Sequence, residues 1–356
     1  MNLDEVLADL RSLFRGCSDN LFLRGSLARS EYTRDIDISA YNPKGSITKG
    51  LPNSFRGVPI SYGTIPLEEL DSYFNTCFRG TTSLLECVDL SSRDSSALQI
   101  IQTNRDVFYA ERIPAFVLFL QAEEEIANRN WKQQETYHSL KRAPGSRRTI
   151  NRTLWTLQLL HEEIRHEHNT NTLLEMCVQN NYLPTTWVEY ATSLMSLLSA
   201  PACNSIPKES NTQWSDARHY LHSYFLNEIK PQSMCYAASH LNEKFSSDIQ
   251  QALSPDTSKE TLLRIAQGDS QERPYENWIK LFTISANPTT SEKALLYLVQ
   301  ECKTKSFYRH VLRNIIKNPG ATPTVLAALP TELDMCTQAY LDARMMDAHA
   351  RNQISY

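Results

Sequence analysis

Leu3, Val6, Leu7, Leu10, Leu13 and Phe14 recur at helical spacing and predict an amphipathic helix at the start of the chain. The apolar run Leu21 to Leu23 then suits a short buried strand, and Gly25-Ser26 turns the backbone sharply. Leu27 to Thr33 can make one or two helical turns. Asp35 to Tyr41 alternates as a strand, with Ile36, Ile38 and Ala40 on one face and Asp35 and Asp37 on the other. Pro43, Gly45, Gly50, Pro52, Gly57 and Pro59 predict a long irregular connection between Asn42 and Ser61. Pro66 to Phe74 reads as a helix and Ser83 to Leu90 as another strand.

From Phe108 the pattern changes to long helices through Trp131, Trp155 and His168 toward Lys244, and Ile113 to Leu120 reads as a buried helix start. Ala200 to Gln213, with Pro201 and Pro207, reads as a loop. A weak repeat follows. Ser254-Pro255, Asn287-Pro288 and Asn318-Pro319 each precede an apolar helix, and the prolines stand 33 and 31 residues apart. That period suggests stacked helical hairpins, modestly similar to leucine-rich-repeat-variant or HEAT-like units, over about 246 to 330. Asp or Ser/Thr near a helix start with Pro in the first turn is also generic helix-entry chemistry, which leaves three ordinary helices as the alternative.

Composition narrows the classes. With 41% hydrophobic residues and 10 glycines, 356 residues can build ordinary cores in two or three domains. A net charge of -4 provides no global field for nucleic acid. Eight cysteines, Cys17, Cys77, Cys87, Cys177, Cys203, Cys235, Cys302 and Cys336, form no Cys-x-x-Cys pair, which points to reduced thiols in the cytoplasm. Asp4, Glu5 and Asp9 are the wrong chemistry for a secretory signal, and no run has the roughly 20 apolar residues of a membrane helix. Secretion as an effector by a route without an N-terminal signal is compatible with this reading.

The chemistry concentrates in LFLRGSLARSEYTRDIDISAY, residues 21 to 41. Gly25 permits close approach of the main chain to a ligand, and Ser26 with the following amides would stand at a helix start, where unpaired N-H groups favour phosphate. Asp35 and Asp37 on one strand face repel each other unless cations sit between them, and Mg2+ is the expected occupant, with Mn2+ as a substitute. Arg29, Lys141, Arg147 and Arg148 are candidate phosphate or acceptor contacts. His161, His166 and His168 lack the i, i+4 spacing of a zinc helix and read as an exposed helix face. Trp131 and Trp155 read as packing residues.

GSLARSEYTRDID, TTSLLECVDL, and the stretch from EEEIANRNWK to SLKRAPGSRRTINRTLW together resemble the nucleotidyltransferase superfamily, which is DNA polymerase β-like, and within it the PII-protein uridylyltransferase group. The resemblance covers roughly residues 15 to 165. It implies a metal site of Asp35, Asp37 and Glu86 with two ions, and a nucleotide held by Gly25, Ser26, Arg29, Lys141, Arg147 and Arg148. Glu86 comes from the resemblance; strand alternation puts Asp89 on the opposite face and by itself chooses neither. The sequence departs from the family at Arg34, where Ser is usual, and at Thr149, where Asp is usual. Nothing here resembles the regulatory or phosphohydrolase domains of the full-length uridylyltransferases, so attachment without built-in removal is expected.

The expected architecture is α+β: a polymerase-β-like domain with a mixed sheet over 1-107, a helical domain over 108-245, a helical-repeat segment over 246-330 and a tail over 331-356. The expected activity is transfer of NMP from an NTP, ATP or UTP, to a hydroxyl, most simply on a protein bound through the C-terminal repeats. The alternatives are transfer to an RNA 3′ end and an inactive scaffold. No membrane partner is expected.

Overall fold

Alternation along Ile36–Ala40 builds the central strand of a five-stranded mixed sheet. The strands are β1 (Leu21–Arg24), β2 (Ile36–Ala40), β3 (Ser54–Phe55), β4 (Val58–Thr64) and β5 (Val88–Asp89), in the spatial order β3-β4-β2-β1-β5. β1 runs antiparallel to β2 and β5, and β3 antiparallel to β4, while β2 and β4 are parallel. Ile36, Ile38 and Ala40 share one face with Leu21 and Leu23, and helix α1 (Leu3–Leu13) buries Val6, Leu7 and Leu10 in the same cluster. The opposite face carries Phe22, Arg24, Asp37, Ser39, Ser61 and Gly63, as the strand register requires.

The computed structural model describes residues 3–29, 31, 35–91, 95–129, 143–199, 211–268, 273–303 and 308–353. The chain is α+β and divides into two units, Met1–Ser239 and His240–Tyr356. The sheet and the helices expected to form two domains, 1-107 and 108-245, therefore fall in one unit as far as Ser239, and 240-245 belong to the second. The Ala200 to Gln213 loop lies outside the described residues as far as 210, and 211–213 already belong to a helix.

Two expectations in the sheet change. The connection expected to be irregular as far as Ser61 contains β3 and the first half of β4, masked in sequence by Pro59 and Gly63. Its earlier part is pinned by Asn42, whose Nδ2 donates to Asp19 Oδ1 at 2.8 Å and to the Ser46 carbonyl at 2.9 Å. Ser83 to Leu90 is mostly not strand. Helix α2 (Gly25–Ala28) is one turn, α3 spans Leu70–Thr76, and α4 spans Phe78–Glu86, leaving Val88–Asp89 as β5. Phe78, Thr81 and Leu85 are buried at helical spacing, and the Arg105 guanidinium donates to the Leu84 and Cys87 carbonyls at 2.7 and 2.8 Å, which ends the helix favourably.

All-helical structure follows: α5 (Ser96–Val107), α6 (Ile113–Arg129), α7 (Arg147–Leu160), α8 (Thr170–Gln179), α9 (Thr185–Ser199), α10 (Asn211–Tyr224) and α11 (Lys230–His240). Ile113 does begin a buried helix. Ile150, Leu154, Trp187, Leu221 and Phe225 form the centre of the cluster between α7, α9 and α10.

The second unit is a helical stack. Helices α12 (Glu243–Leu253), α14 (Pro274–Ala286), α16 (Arg309–Lys317) and α18 (Met335–Gln353) pack in one row, and α13 (Lys259–Gln267), α15 (Glu292–Lys303) and α17 (Pro323–Ala327) in another. The stretch expected to be a tail, 331-356, is largely α18, and Arg313 on α16 donates to Thr337 Oγ1 at 2.9 Å. The repeat is held by a ladder of side-chain amides. Asn287 Nδ2 donates to the Ala252 and Ser254 carbonyls, both at 2.8 Å. One layer on, Asn318 Nδ2 donates to the Ser285 carbonyl at 2.9 Å and the Asn287 carbonyl at 2.7 Å. Each Asn also accepts a backbone N-H two residues ahead, Thr289 and Gly320. Asn287 terminates α14 and Asn318 terminates α16, so each satisfies carbonyls left open at the end of the preceding helix of that row.

Removing such an amide leaves two buried carbonyls unmatched. Asn318→Ala is expected to lower the unfolding free energy by roughly 2 to 6 kcal/mol, at about 1–3 kcal/mol for each buried group left unsatisfied, with urea melts of the full chain as the check.

Candidate functional site

The register of β1 on β2 sets the geometry of the Gly-Ser turn. Arg24 pairs with Asp37, so the turn begins at the level of that carboxylate. Gly25 has φ +71°, and a Cβ there would lie 2.9 Å from Asp37 Oδ2. Glycine is needed twice over, for the left-handed backbone and for the close approach. Asp37 is half-buried and Asp35, one residue before β2, is exposed. Ser26 opens the single turn of α2, and its carbonyl accepts the N-H groups of Arg29 and Glu31 at 3.2 and 2.9 Å. At four residues, α2 is too short for a sizeable macrodipole.

Arg29 is not placed as a phosphate ligand. Its guanidinium donates to Glu31 Oε1 at 2.8 Å and to Glu86 Oε2 at 2.6 Å, and it sits over the Trp155 ring at 5.9 Å. Arg147, the second candidate, also turns inward and pairs with Glu31. Thr170, at the start of α8, completes the cluster by donating its hydroxyl to Glu31 Oε1 at 2.8 Å, while its N-H reaches the Arg29 carbonyl at 3.2 Å. Burial disfavours the Glu31 carboxylate, but Arg29 and then Arg147 outweigh it and hold the pKa at about 2, against an ordinary 4.5. Burial also disfavours the Arg29 cation, yet Glu86 and Glu31 raise its pKa well above the usual value.

Glu86 is therefore on a helix, not a strand, and its carboxylate faces Arg29. Burial pushes its pKa up, with Arg29 opposing. Its carboxylate borders a cavity of about 30 Å³ lined by Trp155, Tyr109, Gln158 and Arg165. That volume suits one water. Asp89, the rival acid, accepts the Ser91 N-H and hydroxyl at 2.9 and 2.5 Å on Oδ1. No group of three or more His, Cys, Asp or Glu side chains able to hold a metal ion occurs among the described residues. The structure brings Gly25 and Asp37 together, places Asp35 beside them in sequence, and keeps Glu86 in a separate ionic cluster.

The turn at 144-149 is also internal. Pro144, Gly145 and Ser146 are buried, and a Cβ on Gly145, at φ +74°, would fall 1.8 Å from the Arg218 carbonyl oxygen on α10. Thr149 accepts the Gly145 N-H at 2.8 Å and donates to Glu124 Oε1 at 2.7 Å. Glu124 is fully buried and also meets Arg152 and His222 Nδ1, the latter at 3.0 Å. Burial pushes its pKa up, but Arg152 and the bonds from His222 and Thr149 lower it overall. Arg148 is half-buried in the first turn of α7. Lys141 and Trp131 lie outside the described residues.

The histidines are not on a helix face, since α7 ends at Leu160. His161 stacks on Tyr182 with centroids 3.7 Å apart, and His166 packs edge-on to Tyr109. Among the described cysteines, Cys77, Cys87, Cys177 and Cys302 are buried. No helix among the described residues is long and apolar enough to cross a membrane. No family model, curated protein or solved structure matches the chain.

Glu31 and Glu124 are the residues that sequence reading did not single out. Glu31 stood in plain view two residues after Arg29, beyond the end of α2, but spacing alone does not tell an inward-facing acid from a solvated one.

The depressed Glu31 pKa makes a signed prediction. Its stabilisation is complete above pH 4.5 and is lost as pH falls from 4.5 toward 2. Glu31→Gln should cost roughly 3 to 5 kcal/mol near neutral pH, as expected when one partner of a buried ion pair is removed. The gap from wild type should close progressively below pH 4.5 in denaturant melts at stepped pH; a pH-independent gap would reject the assignment.

Proposed function

We propose that the Met1–Ser239 unit is a nucleotidyltransferase that moves NMP from an NTP to a hydroxyl on a protein, releasing pyrophosphate. The observation that carries this reading is the close approach of the Asp37 carboxylate to Gly25, 2.9 Å from the place where a Cβ would be. A half-buried glycine turn lies beside the Asp37 acid, with exposed Asp35 one residue before β2, which suits a triphosphate whose charge a cation held by the carboxylates would offset. Held by Asp35 and Asp37, Mg2+, or Mn2+ in its place, supplies neutralisation of triphosphate charge. The two-carboxylate donor set fits one such ion.

The chain's own residues orient the substrate. Gly25 and Ser26 cradle the β- and γ-phosphates. The acceptor oxygen forms a bond to the α-phosphorus, the bond from that phosphorus to the bridging oxygen of pyrophosphate breaks, and the hydroxyl proton passes to solvent at the open edge where Asp35 is exposed. Arg29 and Arg147 contribute indirectly, by fixing the chain after α2 through Glu31. A protein acceptor is favoured over RNA by the net charge of -4 and by the helical stack of His240–Tyr356, since solenoids present extended surfaces to proteins.

Incubation of wild type and an Asp35→Ala/Asp37→Ala variant with Mg2+, cell lysate and each α-32P-labelled NTP tests the proposal. A labelled protein band that appears with wild type and falls at least about 100-fold in the variant, the scale of losing a main electrostatic element of a site, is the expected result. Label in RNA would replace the acceptor class, and no label in either fraction would reject transfer.

A further inference from the structure

The ion count at this site follows from which side chains flank Asp37. Two divalent ions about 3.5–4 Å apart repel with four times the force of unit charges, so two-metal sites surround them with carboxylates. The resemblance supplies three, but Glu86 is committed to Arg29 at 2.6 Å. On the sheet itself, the neighbours of Asp37 on its own face are Arg24 on the β1 side and Ser61 on the β4 side. Asp89 is one strand beyond β1, opposite Phe22, with Oδ1 occupied by Ser91.

We infer that the site takes one divalent cation with its nucleotide instead of two, because Ser61 stands at the β4 position from which a third carboxylate would reach the ion beside Asp37. A serine hydroxyl brings an oxygen without the charge that a second hard cation needs. Arg24 acts in the same direction. Its Nη2 lies 3.2 Å from the place where a Cβ of Gly63 would be, so the guanidinium extends along the Asp37 face toward β4, passing the Ser39 position. A fixed positive charge on that face disfavours a second dication and leaves less need for one to neutralise the triphosphate. Gly63 is the residue that gives the guanidinium room. This inference rests on the nucleotidyltransferase reading and narrows it.

Mn2+ binding to the full chain, followed by the electron paramagnetic resonance signal of free Mn2+ in the presence of each α,β-methylene NTP analogue, tests it. Retention of the analogue is scored separately by equilibrium dialysis. One Mn2+ per chain is expected for wild type, two for Ser61→Asp, and a loss of at least tenfold in Mn2+ affinity for Asp35→Asn/Asp37→Asn. Two Mn2+ in wild type would overturn the inference while leaving the nucleotide reading intact. A single Mn2+ in a Ser61→Asp protein that melts like wild type would overturn the assignment of position 61. If Ser61→Asp does not fold, the wild-type count decides alone. Failure of wild type to retain any analogue would reject the nucleotidyltransferase reading, and the inference with it.

Discussion

A carboxylate withdrawn from water is tolerated only where opposite charge and hydrogen bonds meet it on every side, and Glu31 is such a group. Arg29 reaches it from the residue after α2, Arg147 from the first turn of α7 and Thr170 from the start of α8. Three segments far apart in sequence thereby converge on one side chain. Glu86 closes the cluster through Arg29, and the end of α4 is drawn in with it. The Gly-Ser turn lies just before this junction. Its position over Asp37 is therefore fixed from two directions, by the β1–β2 register and by the anchored chain that follows α2.

The same constraint separates residues that the linear order of the motif groups together. Arginines in a basic run beside a Pro-Gly turn look like phosphate ligands when read along the chain. In the fold, Arg147 faces a buried acid and Arg152 faces another, Glu124. Arg147, a candidate for a ligand, instead ties the first turn of α7 to the chain after α2, and Arg152 ties α7 to α6.

Legibility followed periodicity. α1, β1, β2 and the start of α6 were readable because apolar residues recur at a clear period and the elements end at evident turns. β4 was not, because Pro59 and Gly63 signal loops; yet Pro59 sits opposite Ser54 on the short outer strand, and Gly63 makes room for Arg24. Residues 83 to 90 failed for another reason. A stretch with Leu84, Leu85, Cys87 and Val88 fits either period, and what decided it was a distant Arg105 capping the helix end. Of the site, the Gly25 and Asp37 pairing was visible in the motif, whereas the partner of Glu86 depends on where α4 lies in space. The repeat was visible through its Asn-Pro pairs, although the amide ladder that explains the asparagines was not.

That ladder has a bearing on how the second unit tolerates changes of length. Asn287 reaches the carbonyl of Ser254, 33 residues back, and Asn318 that of Asn287, 31 residues back. Unequal steps with the same endpoint mean that the row of α13, α15 and α17 and the connections absorb variation in chain length while the amide stays in phase. An insertion between α14 or α16 and its terminal Asn would carry the amide off its acceptors, whereas a whole added layer would present the next Asn with the same pair of carbonyls. In a stack linked this way, loss or gain of a complete layer disturbs fewer amide contacts than loss or gain of part of one.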